Sequence, residues 1–170
     1  MYNFLYEKPN TIEEVEKILN ENEESKILAG GQTLIPTMKQ RLASPSTLID
    51  ISDINELNFI NDNGDTITVG ATCTHNEVLS SEIIKSKIPS LAALAEGIGD
   101  PHVRNMGTIG GSISNNDPTA DYPTACLSLK AKIKTNKKEI SAEDFFVGLF
   151  ETALEENEIV ISIEFSVPQK

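Results

Sequence analysis

Apolar and polar positions from Phe4 to Ile51 read as strand, helix, strand, helix, strand. Phe4-Leu5-Tyr6 is a short extended run. Thr11, with Glu14 three residues on, carries a helix-start signature, and Ile12, Val15, Ile18 and Leu19 share one face of that helix. Lys26 to Ala29 is a second extended run, which Gly30-Gly31 breaks. Leu34 to Leu42 has helical spacing, with Pro36 confined to the first turn. Thr47 to Ile51 closes the series, the grammar of a small parallel sheet.

Beyond this point the pattern changes. Phe59-Ile60-Asn61, the turn Asp62-Asn63-Gly64 and Thr66 to Val69 predict a hairpin. Thr74 with Glu77 caps another helix, and Pro89 to Ala95 starts a further one. A glycine- and asparagine-rich stretch from Gly97 to Pro123 shows no clear period. Ala131 to Thr135 and Glu139-Ile140, joined at Asn136-Lys137-Lys138, predict a second hairpin, and Ile159 to Val167 a final strand ended by Pro168. The fold class expected is therefore α+β, in two lobes. A small parallel βαβ lobe, about residues 1–54, precedes an antiparallel-sheet lobe with flanking helices, about residues 55–170.

Apolar residues make up 39% of the 170 positions and charged residues 24%, enough for a packed core. The net charge of −12 disfavours nucleic acid and anionic membrane surfaces as partners. It leaves room for a small anionic ligand, because backbone N–H groups bind phosphate without any net positive charge. Cys73 and Cys126 stand far apart and outside metal-ligand spacing, which reads as two reduced thiols. The N-terminus lacks the pattern of a secretion signal, and no apolar run approaches the roughly 18 residues of a membrane span. A soluble, cytoplasmic protein is expected.

Two glycine motifs carry the candidate chemistry. The first is Ala29-Gly30-Gly31-Gln32-Thr33-Leu34-Ile35-Pro36, between a strand and a helix. Paired glycines let a ligand approach the backbone, and the helix start that follows offers unpaired N–H groups. By itself this loop reads as a plain strand-to-helix turn ahead of a ligand site. The second is Arg104-Asn105-Met106-Gly107-Thr108-Ile109-Gly110-Gly111-Ser112-Ile113-Ser114-Asn115-Asn116-Asp117-Pro118. Its glycines and small polar residues suit a bare backbone packed against a ligand. A flexible surface loop is the other reading, against which Ile109 and Ile113 look like buried anchors.

Taken together, the two motifs resemble the flavin subunits of molybdenum hydroxylases, the family of xanthine, carbon monoxide and nicotinate dehydrogenases. The resemblance spans the whole chain and implies a PCMH-type FAD-binding domain, with FAD rather than FMN as cofactor. It implies that Ala29, Gly30, Gly31, Gln32 and Thr33, leading into Leu34, cradle the pyrophosphate. Thr108, Ile109, Gly110, Gly111 and Ser112 would embrace the diphosphate and the flavin side, and Asp121 would contact the adenosine ribose. Ile98 and Ile161 fall where the family packs apolar side chains near the flavin. Molybdopterin and 2Fe-2S clusters are expected only in partners, a molybdenum-binding large subunit and an iron–sulfur small subunit. Family members carry a further domain of about 100 residues. The sequence here stops at Lys170, so either a truncated or split subunit or a missing lobe carried by another polypeptide is expected, with an incomplete flavin pocket.

The leading function is electron transfer as an oxidoreductase subunit active only in complex. Its competitors are another flavoenzyme of the vanillyl-alcohol-oxidase-like fold and a non-catalytic flavin-binding or scaffold module. His102 reads as a loop histidine without a triad. Arg104 is open between phosphate contact and backbone support. The acidic runs at Glu21 to Glu24 and at Glu155, Glu156 and Glu158 read as solvated faces, with docking to a basic partner as the other option. No catalytic residue and no metal ligand is assigned.

Overall fold

The computed structural model describes residues 1–169. Three short parallel strands build the first sheet: β1 (Leu5–Glu7), β2 (Ser25–Leu28) and β3 (Thr47–Asp50), in the order β1-β3-β2. Strand β3 is buried at every position because it is flanked on both edges. Helix α1 (Ile12–Glu21) connects β1 to β2 and buries Val15 and Leu19. The Thr11 hydroxyl accepts from the Glu14 N–H at 3.3 Å, while the Glu14 carboxylate accepts from the Asn10 N–H at 2.7 Å, one residue earlier than a reciprocal box requires. Helix α2 (Leu34–Lys39) follows the first glycine motif.

A turn of 3-10 helix at Asn55–Leu57 leads into the second sheet. Its strands are β4 (Ile60–Asp62), β5 (Thr66–Gly70), β6 (Lys132–Thr135), β7 (Glu139–Ser141) and β10 (Val160–Ser166), antiparallel in the order β4-β5-β10-β6-β7. Both expected hairpins are present, and the closing strand lies at the sheet centre. Helices α3 (His75–Ser80), α4 (Glu82–Lys87) and α5 (Pro89–Gly97) pack beside this sheet. At α3 the capping box is complete, with Thr74 and Glu77 each bonding the other's backbone.

The stretch from Gly97 to Pro123, without a period in the sequence, is mostly helical. It holds α6 (Pro101–Met106) and α7 (Ile109–Asn115), and α8 (Tyr122–Ser128) starts at its end. Two short elements complete the chain: α9 (Ala142–Phe145), and a hairpin of β8 (Phe146–Gly148) with β9 (Glu151–Thr152). The larger core gathers residues from β5, β10, β6 and helices α3 to α5 and α7 to α9, including Ile67, Val69, Ile163 and Phe165. A smaller core joins Val15, Leu19, Ile49, Ile51, Ile54 and Leu57 to Ile159 from the C-terminal segment.

Helix α7 ends at Asn116, which adopts a left-handed conformation with φ 43°. Its side-chain amide donates to the Gly148 carbonyl at 2.8 Å and the Glu151 carbonyl at 2.9 Å, and its own carbonyl accepts from the Phe150 N–H at 3.1 Å. One residue thus ends the helix and fixes the β8–β9 hairpin. Asn116→Ala should cost about 2 kcal/mol, because it removes two side-chain hydrogen bonds and puts alanine, which tolerates the left-handed region less well than asparagine, at that φ. Asn116→Gly restores the backbone freedom only. Chemical denaturation should rank wild type above Gly above Ala; a Gly variant as stable as wild type would show that the hairpin bonds contribute nothing.

Candidate functional site

The two glycine motifs meet. The first loop leaves the carboxyl end of β2, so Ala29 and Gly30 emerge at the edge of the parallel sheet where strands end and ligands collect. The second motif approaches from α6. A β-carbon on Gly30 would collide with the Met106 carbonyl oxygen and lie 2.8 Å from the Gly107 α-carbon. Gly30 is glycine because two stretches of main chain touch there. Gly31 has φ +69°, the turn that sends the chain into α2.

A cavity of about 210 Å³ opens beside this contact, between the two sheets. Ala29, Gly30 and Ser52 line it from the first sheet's loops, and Asn58, Thr72, Thr74, Glu77, Asn105, Met106 and Thr108 from the second side. The Thr72 hydroxyl is buried without a hydrogen-bond partner. A larger open concavity of about 420 Å³ lies between β1 and α1, touching neither glycine motif. The smaller cavity is the candidate site, because both motifs and an unpartnered hydroxyl converge on it.

The loops divide the work. Among the described residues, the N–H groups of Gly30, Gly31, Gln32 and Thr33 have no partner within the protein. They are free to face an anion. In the second motif the amides are already committed: Ile109 N–H donates to the Cys73 carbonyl, Gly110 N–H to the Ala71 carbonyl, and Gly111 N–H to the Thr108 hydroxyl. Gly110 is buried, and a β-carbon there would meet the Ala71 carbonyl oxygen at 2.6 Å. Its role in the fold is close packing against β5's continuation. Gly111 is exposed, its absent β-carbon facing only the Thr108 hydroxyl at 2.9 Å.

Other expected site residues are spread around this centre. Gln32 and Thr33 are exposed and Leu34 half-buried at the head of α2. Ser112 is half-buried on the first turn of α7, and Ile109 is fully buried. Ile161 lies on β10, where its carbonyl accepts from the Ala71 N–H, so a relay of main-chain bonds links Ile161, Ala71 and Gly110. Ile98 follows α5 and Asp121 stands exposed before α8; neither lines the cavity. Arg104 is settled by geometry. Its Nη1 donates to the carbonyls of Glu96, Ile98 and Gly99 at 3.1 to 3.3 Å, closing the end of α5, a backbone-support role. Sequence reasoning missed Ser52, Asn58, Thr72, Thr74, Glu77 and Asn105 as cavity residues. They shared no sequence signal: Ser52, Asn58 and Thr72 stand in loops, Thr74 and Glu77 form the cap of α3, and Asn105 lies in α6.

Behind the second motif lies a buried histidine. His75 is 5% exposed, its ring 5.3 Å from that of buried Tyr122, and its backbone N–H donates to the Gly107 carbonyl. A β-carbon on Gly107 would lie 2.7 Å from His75 Nε2. Burial pushes the imidazole pKa down from 6.5 to about 4. Cys73, Cys126 and Tyr122 are likewise raised by burial, the two thiols to about 11 and about 12. These groups are inert at neutral pH, and no acid–base pair faces the cavity. No helix among the described residues is long and apolar enough to cross a membrane, and among them no group of His, Cys, Asp and Glu is placed to hold a metal.

Fold and site together define a cofactor-binding α+β unit, with a small parallel sheet and a larger antiparallel sheet on either side of a glycine-lined cleft. Residues 2–169 match the family described as the FAD binding domain in molybdopterin dehydrogenase, and the chain belongs to that family. It is 40% identical over 168 residues to the glyceraldehyde dehydrogenase medium chain of Sulfolobus acidocaldarius, covering 96% of this chain and 60% of that protein. It is 39% identical over 165 residues to the carbon monoxide dehydrogenase medium chain of Hydrogenophaga pseudoflava, covering 94% and 58%. The solved carbon monoxide dehydrogenase of Hydrogenophaga pseudoflava, in a form lacking the Mo-pyranopterin moiety of its cofactor, superposes with a TM-score of 0.96. That match has 38% identity and covers 99% of this chain and 60% of that one. The chain thus spans about three fifths of the length of the relatives it matches.

Two predictions follow from the packing. Gly30→Ala and Gly110→Ala should each lower stability by about 2 kcal/mol, since main chain stands where the methyl group must go, whereas Gly111→Ala should cost much less. Thermal melts of the three variants test this; equal melting temperatures would mean that the loops yield freely.

His75 binds a proton more readily unfolded than folded. Its contribution to stability is therefore complete above pH 6.5 and is lost as pH falls from 6.5 to about 4. The shift corresponds to about 3 kcal/mol at most. His75→Leu should flatten the stability–pH curve across that window relative to wild type. Identical slopes would show that the imidazole protonates within the fold at little cost.

Proposed function

We propose that this chain binds FAD across the cleft between its two sheets and serves as the electron-transfer part of a molybdenum-containing dehydrogenase. The observation that carries the reading is the meeting of the two glycine motifs at one cavity. The first loop presents four unpaired main-chain N–H groups and the cavity wall an unpartnered hydroxyl. The residues fit a dinucleotide. Gly30, Gly31, Gln32 and Thr33 would hold the pyrophosphate through their amides, supported by Ala29 and Leu34. Thr108, Gly111 and Ser112 would flank it, with Ile109 and Gly110 fixing the loop from beneath. Asp121 would reach a ribose hydroxyl, and Ile98 and Ile161 would stand near the flavin ring. Bound there, FAD supplies the redox chemistry.

The chain's own part is positioning. It holds the anion without a basic side chain, places apolar residues near the ring and brings no proton donor of its own to the cavity. Residues 1–54 and 55–170 form the two lobes of this reading. The relatives are medium chains and subunits by name, so companions fit as partners: a molybdenum-binding large subunit and an iron–sulfur small subunit that delivers electrons. The polypeptide that relatives carry beyond the matched region would complete the flavin surroundings. A cytoplasmic location, with Cys73 and Cys126 kept as buried free thiols, belongs to the same reading.

The purified protein should release FAD on denaturation, identified by chromatography, and FMN as the sole flavin would sink the dinucleotide reading. Reconstituted with iron–sulfur and molybdenum subunits of a matched complex plus its substrate, the bound flavin should lose its visible absorbance on reduction. Bleaching by substrate without partners would favour a stand-alone flavoenzyme. No bleaching with every partner present would favour a binding module without electron transfer.

A further inference from the structure

Away from the cleft, the β8–β9 hairpin turns large apolar side chains to solvent. Val147, Leu149 and Phe150, within four successive positions, are 60%, 76% and 62% exposed. Single exposed apolar residues are ordinary on a protein surface, but a group of them marks a place that something covers. The base of the hairpin is anchored. Phe145 is fully buried, Phe146 meets it edge-on with ring centroids 5.1 Å apart, and the Ala153 N–H donates to the Phe145 carbonyl at 2.8 Å. The tip is pinned as well, since Asn116 bonds to Gly148, Phe150 and Glu151. Phe150 is held there at φ 57°, a backbone conformation that bulky residues seldom adopt. The apolar tip is thus fixed facing water instead of folding back onto its own chain.

The charges around the tip have one sign. From Glu139 to Gln169 the sequence holds eight acids and no base, so every charge the hairpin and its flanks contribute is negative. Glu143 and Asp144 on α9, just before β8, and Glu151 on β9 are exposed. Among the described residues none of these three forms an ion pair, whereas Lys137 and Lys138, the nearest bases in sequence, are both paired with Glu155. A second copy of the chain is a poor occupant, because a two-fold contact would set these acids against themselves. An anionic membrane surface is disfavoured by the same repulsion. The face that complements this tip is an apolar socket bordered by Lys and Arg.

Asn116, which pins the tip, also ends α7, and the first turn of that seven-residue helix holds Gly110 and Gly111. A helix of that length is about 10 Å long. A protein seated on the hairpin therefore stands one short helix away from the second glycine motif. Electron transfer slows steeply with distance, so the companion that gains from this seat is the one that delivers electrons. Resting on the reading of the chain as the electron-transfer part of a complex, we propose that Val147, Leu149 and Phe150 form a docking knob for the iron–sulfur companion, which receives it in an apolar socket with a basic border.

The test titrates the full chain by calorimetry with the purified iron–sulfur subunit of a matched complex and, separately, with its molybdenum subunit. Leu149→Gln and Phe150→Asn remove the apolar tip, and asparagine tolerates positive φ. Leu42→Gln is the control, a side chain 75% exposed in the first lobe. Each tip variant should weaken binding to the iron–sulfur subunit about tenfold or more, while L42Q leaves it unchanged. Glu143→Lys combined with Glu151→Lys should weaken it about three- to tenfold at low salt and less at high salt. Melting temperature and FAD content should match wild type throughout, because these side chains are exposed and none of them lines the cleft. Tip variants that bind the iron–sulfur subunit as wild type does overturn this inference alone, as does a loss confined to the molybdenum subunit. So does a wild-type dimer in sedimentation that F150N converts to monomer, which would make a second copy the occupant. A wild-type chain that binds FAD but not the iron–sulfur subunit overturns the inference together with the electron-transfer reading.

Discussion

Everything at the cleft depends on one contact made without side chains, where Gly30 rests against Met106 and Gly107. A loop leaving a parallel strand and a loop leaving a helix meet main chain to main chain, so both backbones become walls of one cavity. Any β-carbon would pry them apart. Glycine also permits close approach at Gly110, which lies on Ala71, and at Gly107, which lies against the His75 ring. The second motif's glycines thus serve first to seat α7 tightly on the larger sheet. The first motif keeps the N–H groups of Gly30 to Thr33 unpaired within the protein.

On the proposed reading, this division reconciles so acidic a protein with a family that binds a doubly phosphorylated cofactor. A net charge of −12 would repel an anion if recognition depended on the surface field. Main-chain N–H groups act at hydrogen-bond range, where their orientation outweighs distant, screened charges. Arg104, the one base inside either motif, turns its guanidinium onto three carbonyls and away from this task. Glu77 is tied to Thr74 and Asn58, so its charge has a fixed place.

The sequence was most legible where local chemistry decides structure. The capping pair at Thr74 and Glu77, the turn at Asp62 to Gly64, and the alternation of Ile159 to Val167 each correspond to an observed element. The parallel sheet was legible from its strand–helix–strand order, though not its arrangement with β3 in the middle. Helices α6 and α7 were not, because Pro101, Asn105 and paired glycines weigh against a helix, and both are only six and seven residues long. They stand because Asp100 and Thr108 cap them and Ile109 and Ile113 enter the core. Of the candidate site, the two motifs were visible and their meeting was not. Thr72 carried no signal, since an isolated threonine after a strand announces nothing until its missing partner is seen.

The cleft is held open by the strand that comes last. β10 crosses the middle of the larger sheet, with Ile163 and Phe165 in its core, while Ile159 just before it enters the smaller core beside Val15 and Ile49. Asn136 and Asn157 add bonds from the same region to Glu16 and Asn20 of α1. The lobes are therefore joined twice, by the segment near Leu57 and by this return, and two separated tethers resist hinge motion better than one. From β10 the Ile161 carbonyl fixes Ala71, and the Ala71 carbonyl fixes Gly110. The spacing of the two glycine motifs is set by this hydrogen-bonded frame, and a ligand entering the cleft meets a site whose geometry was established when the sheet closed.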